Sequence, residues 1–114
     1  MSIKALIQKL SVEPEAVGFD EVINVIDEHY HFTPTAFTNG ELDNAAGQNS
    51  GSCKIFAFAR IHGLSQQQTL ACFGRFYRED VLAHPEAVDH QNIRQFMAQG
   101  WSGVNFSESP LQQK

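Results

Sequence analysis

The sequence predicts an α+β domain of about five helices with a small antiparallel β hairpin or sheet; an all-α fold is the alternative. Three observations point there. Apolar residues recur at helical spacing in five segments that carry cap and stop signals. Between the second and third of these the texture turns to extended, Thr- and Phe-rich chain around Asn39-Gly40. At 114 residues and 42% hydrophobic, with nine Phe among them, the chain can fill one core and not two. A single domain is therefore expected over residues 1–114, with a frayed tail at about 107–114.

Ser2 is placed to cap a first helix carrying Ile3, Leu6, Ile7 and Leu10 on one face, with Pro14 just beyond its end. A second helix starts near Gly18, sets Phe19, Val22, Ile23, Ile26 and Tyr30 inward, and must stop before Pro34. Asn39-Gly40 is a preferred dipeptide for the two central positions of a hairpin turn. Ser50 or Ser52 can cap a third helix that runs to about residues 59–62 and is closed by Gly63. Its KIFAFARI run has almost no polar face, which puts it at the centre of the core. Ser65 with Gln68 forms a capping box for a fourth helix bearing Leu70, Phe73, Phe76 and Tyr77. Asp89 is placed to cap a fifth, with Ile93, Phe96 and Met97 inward and Gly100 at its stop. Residues 104–106 can add a last strand.

The net charge of −5 is uneven, −6 over residues 1–50 and +1 over residues 51–114. No basic stripe is available to displace counterions from a polyphosphate, so nucleic acid is excluded as a general partner. No run approaches the roughly 18 apolar residues of a membrane span, so no membrane partner is expected, and the protein is expected in the cytoplasm where it is made. Cys53 and Cys72, 19 positions apart and both in apolar segments, read as reduced and buried thiols.

The densest set of turn formers and side-chain amides lies at residues 39–54, NGELDNAAGQNSGSCK, directly before the most apolar run. That marks a candidate site on a shaped loop. Asn39, Asn44, Asn49 and Asn92 are the amide candidates for binding. Lys54, with the amides of residues 51–53 near a helix start, is a candidate anion holder, although GQNSGSCK does not fit a phosphate loop. Arg75, Tyr77, Arg78 and Asp80 form a second polar cluster, in which Arg78 and Asp80 are expected to pair. Asp89 beside His90 offers a carboxylate and an imidazole for acid-base work, and Cys53 or Ser52 would be the nucleophile of a hydrolase. His29 and His31, two positions apart on a helix, point to different faces, so no metal site or cofactor is expected.

FTNG at 37–40, NAAGQNSGSCKIFAFA at 44–59, LSQQQTL at 64–70, FGRFYREDVL at 73–82 and DHQNIRQFMAQGWSGVNF at 89–106 together resemble the HopJ type III effector family. The resemblance spans about residues 30–106. It implies delivery into a host cell by a bacterial secretion apparatus, and it implies no biochemical activity. Two functions of different class follow from the residues. One is a small non-enzymatic domain that offers its polar loop to a protein partner. The other is a pocket for a small anionic ligand or metabolite, with an enzymatic role for Asp89 and His90 within reach. Convergence of the amides, Lys54, Asp89 and His90 on one concave pocket would favour the second.

Overall fold

The computed structural model describes residues 1–114 and has the α+β architecture that the sequence predicts. Helix α1 (Ile3–Val12) is capped by Ser2, whose Oγ accepts from the Ala5 amide at 3.0 Å. Helix α2 (Phe19–His29) begins after Gly18 and passes directly into strand β1 (Tyr30–Phe32). Strands β2 (Phe37–Asn39) and β3 (Leu42–Asn44) form the hairpin. Helix α3 (Ser50–Ile61) crosses the middle of the molecule, and α4 (Gln66–Ala71) follows it with the Ser65–Gln68 capping box in place. A π-helical turn (Phe76–Val81), helix α5 (Gln91–Gln99) and strands β4 (Val104–Phe106) and β5 (Leu111–Gln113) complete the chain.

Two small antiparallel sheets result. One has the order β3-β2-β4, and the other pairs β1 with β5, Tyr30 opposite Gln113 and Phe32 opposite Leu111. The tail is therefore held at 111–113 and not frayed: Leu111 is buried in the core, and its strand supplies the only partner of β1. In α3 the run Ile55, Phe56, Ala57, Phe58 and Ala59 is buried without interruption. Phe56 meets the rings of Phe37, Phe73, Phe96 and Trp101 at centroid separations of 5.0–6.3 Å. Trp101 closes this cluster and donates its indole N–H to the Leu64 carbonyl.

Four local expectations are corrected, each for a physical reason. The hairpin turn is Gly40–Glu41 and not Asn39-Gly40: Asn39 stays in β2 so that its fully buried amide can reach α5, and Gly40 alone takes the positive φ of +60°. The α3 cap is Asn49, in the left-handed region, and Ser50 is already helical. The fourth helix breaks after Ala71. Gly74 has φ +59°, and a Cβ there would stand 2.6 Å from the backbone nitrogen of Phe19. In α5 the inward stripe runs through Asn92, Ile93 and Phe96, because an amide takes a core position, and Met97 is left exposed.

Candidate functional site

The starts of α3 and α5 are brought together by a network of asparagine amides. The Asn92 side chain is 7% exposed and exchanges two hydrogen bonds with Asn44, donating at 2.9 Å and accepting at 3.2 Å. Asn49 donates to the same Asn44 oxygen at 2.7 Å. Asn39 donates to both the backbone and the side-chain oxygen of Asn92, at 2.8 and 3.1 Å. Amide to amide, β2, β3 and the first residues of both helices are thereby locked in one arrangement. Three of the loop's candidate residues are thus neighbours of one another or of Asn92, although Asn39 and Asn44 lie beneath the surface and support the site from below.

Above the network lies a concave pocket of about 460 Å³, in the range usual for small-molecule sites. Asn49, Gly51 and Ser52 line it from α3, and His90, Gln91 and Asn92 from α5. Phe19, Phe73, Phe76 and Ile93 supply its apolar wall. Gly51 leaves room for the Phe19 ring, from which a Cβ would stand 2.9 Å, so a larger residue there has to displace that ring. Asn49 (φ +53°) and His90 (φ +51°) are the two non-glycine residues with positive φ in the chain, and each begins one of these helices. Neither helix has a side-chain cap, and first-turn residues of both line the cavity, which sets the positive ends of two helix dipoles beside it. Another cavity, of about 520 Å³, lies over the three-stranded sheet between Asp43 and Asn105; it is more open and meets no helix start.

His90 is fixed at the rim. Its Nε2 stands 2.9 Å from Asp80 Oδ2, and its ring lies on Phe76 with centroids 5.1 Å apart. The partner expected from adjacency, Asp89, is turned to Arg94, whose guanidinium is 2.6 Å from its Oδ1 and holds its carboxyl below the usual carboxylate range. With His90 in the left-handed region the helix starts one residue later than the sequence suggests, and Asp89 caps nothing.

The remaining candidates are structural. Lys54 pairs with Asp27 at 2.8 Å, over the ring of Phe32, and ties α3 to α2 away from the pocket. Arg78 does not pair with Asp80; it donates to the carbonyls of Pro14 and Val17 at 3.3 and 2.7 Å. Cys53 is buried with Sγ 3.7 Å from the Thr35 carbonyl, and burial pushes its thiol up to about 11, out of range for a thiolate nucleophile at neutral pH. Cys72 is likewise buried and pushed up to about 12. His29 reaches the Met1 carbonyl and His31 lies exposed in β1. Two contributions escaped the sequence reading. Asp80, expected there to pair with Arg78, meets from another element His90, ten residues further on, and Phe76, which reads there only as core, lines the pocket.

Taken together, these features define a small single-domain α+β protein with one cavity framed by two helix starts. Over residues 3–111 the chain matches the profile of the HopJ type III effector protein family, and it belongs to that family. It is also similar to a solved structure, the crystal structure of a protein of unknown function, VPA0580. The two are 53% identical, the match covers 100% of this chain and 95% of that one, and the TM-score is 0.98. No match was found among curated proteins. No helix of the protein is long and apolar enough to cross a membrane.

Proposed function

We propose that this protein is a small-ligand-binding domain whose pocket, between the starts of α3 and α5, takes a small anionic metabolite with a flat apolar body. The observation that carries this reading is the convergence of two helix N-termini without side-chain caps on one cavity that also presents aromatic faces. Such N-termini favour negative charge, and the phenylalanines favour a planar hydrocarbon portion. The reading of a convex amide surface for a protein partner loses support, because Asn39, Asn44 and Asn92 are turned inward. As the ligand's polar end approaches the helix starts, it also approaches the imidazole of His90. Delivery of such a domain into a host cell, as the family's description suggests, leaves the pocket chemistry unchanged.

The test is a thermal-shift screen of the full chain against aromatic carboxylates and phosphate esters. A ligand at a hundred times its dissociation constant adds about 2.7 kcal/mol and raises the midpoint of a domain this size by roughly 10 °C. The variant Ser52→Trp, which fills the pocket, should keep the fold and lose that shift. No stabilising compound, or one whose effect survives in Ser52→Trp, would contradict the proposal.

A further inference from the structure

The geometry points to a divalent transition-metal site formed by Asp80, Asp89 and His90 at the rim of the pocket. These three are the one set of His, Cys, Asp or Glu side chains in the protein whose ligand atoms all lie within 4.8 Å of one another. His90 Nε2 is 2.9 Å from Asp80 Oδ2 and 3.7 Å from Asp89 Oδ2. An ion bound at about 2.1 Å by nitrogen and oxygen ligands in tetrahedral geometry holds neighbouring donors about 3.4 Å apart. The two edges at His90 bracket that value, and the Asp80–Asp89 edge lies within 4.8 Å, so side-chain rotation has to bring the carboxylates onto the ion.

The donor set is more than a patch of acids. It has an imidazole nitrogen, which selects for ions such as Zn²⁺ over Mg²⁺ or Ca²⁺, and two carboxylate oxygens from different parts of the fold. Asp80 comes from the π-helical turn, while Asp89 and His90 come from the approach to α5. Two of the three groups are also oriented by a neighbour outside the set. Arg94 holds Asp89 by Oδ1, leaving Oδ2 on the His90 side, and Phe76 holds the imidazole plane. Coordination uses the Nε2 lone pair, so the contact between Nε2 and Asp80 gives way to two bonds to the same ion. Three protein ligands leave the fourth tetrahedral position for water or a ligand. Because His90 also lines the pocket, that position would bring a positive charge to a cavity lined by no Lys or Arg.

The inference is independent of the metabolite proposed above, and its test uses the metal alone. Zn²⁺ is titrated into the full chain in competition with a chromophoric chelator. One equivalent should bind, and Asp80→Asn and His90→Asn should each weaken binding at least about tenfold. His90→Asn is chosen because Asn tolerates the left-handed backbone at this position, and circular dichroism checks that both variants fold. The double variant His29→Ala/His31→Ala should bind as the parent does. In parallel, Mn²⁺ should broaden first the amide resonances of Asp80, Asp89 and His90. Absence of saturable binding, binding unaffected by Asp80→Asn and His90→Asn, or broadening centred elsewhere would overturn the site and leave the pocket reading standing.

Discussion

At the scale of single residues, the site rests on buried side-chain amides joined to one another by hydrogen bonds. Asn92 joins Asn39 and Asn44, and replacing it by Ala would leave the buried Asn44 Nδ2 without its partner, while Asn39 Nδ2 keeps the residue 92 carbonyl and Asn44 Oδ1 keeps Asn49. An orphaned buried group costs about 1–3 kcal/mol, so Asn92→Ala should destabilise the protein by about that much and lower the melting midpoint by roughly 5–15 °C. Asn105→Ala, on the exposed face of β4, should change the midpoint little, and calorimetry of the two variants checks the contrast. Asn39 Oδ1 is without a hydrogen-bond partner in the protein. A second residue-scale prediction concerns His62. Its Nε2 is 2.7 Å from the Tyr30 hydroxyl, and burial holds its pKa below the ordinary value. The unfolded chain therefore binds the proton more readily than the folded one. His62 thus contributes stability that is complete above about pH 6.5 and is lost as the pH falls toward the lowered folded value. Melting curves between about pH 8 and pH 5 should show a steeper loss for the parent than for His62→Gln.

At the scale of elements, the break between α4 and the π-helical turn is set by Gly74. A Cβ there would meet the backbone of Phe19, and φ is positive as well, so Gly74→Ala is strained twice. At Gly63, where φ is +62° but space is open, only the conformational cost remains. Gly74→Ala should therefore lower the denaturation midpoint clearly more than Gly63→Ala, whose cost is about 1–2 kcal/mol. The helices were legible because their information is local: Ser2, the Ser65–Gln68 box, Gly63 and Gly100 are punctuation that a sequence displays. The apolar run of α3 likewise announces a buried helix. What escaped depends on partners far along the chain. Asn39-Gly40 looks like a turn until Asn92, 53 positions away, claims the Asn39 side chain. Asp89 looks like a cap until His90 takes the left-handed backbone that puts its ring beside Asp80 and leaves Asp89 to Arg94. Half of the candidate site was visible in the sequence, since Asn49, Gly51, Ser52, His90 and Asn92 are five of the ten residues that line the pocket. Lys54 and Arg78 carry the charge expected of an anion site but spend it joining elements.

At the scale of the whole molecule, the two ends of the fold meet. Strand β5 pairs with β1 directly after α2, and Leu111 enters the core beside them. Deleting residues 110–114 should remove a strand and a buried leucine together and cost at least the roughly 2–5 kcal/mol of a core Leu→Ala change. Urea unfolding of the shortened chain checks this, and an unchanged midpoint would mean that the pairing contributes nothing. The near-complete structural match to VPA0580 places the same backbone framework in a second chain at 53% identity. The central claim is that the cavity framed by the starts of α3 and α5 is where a small ligand binds. Its most direct test is an amide-resolved NMR titration of the full chain with a stabilising compound from the screen. The account predicts that the largest shifts fall on residues 50–52 and 91–93, with the Phe19 and Phe76 ring protons moving at the same ligand concentration. Shifts confined to the sheet face around Asn105, or to the outer surface of α1, would contradict it.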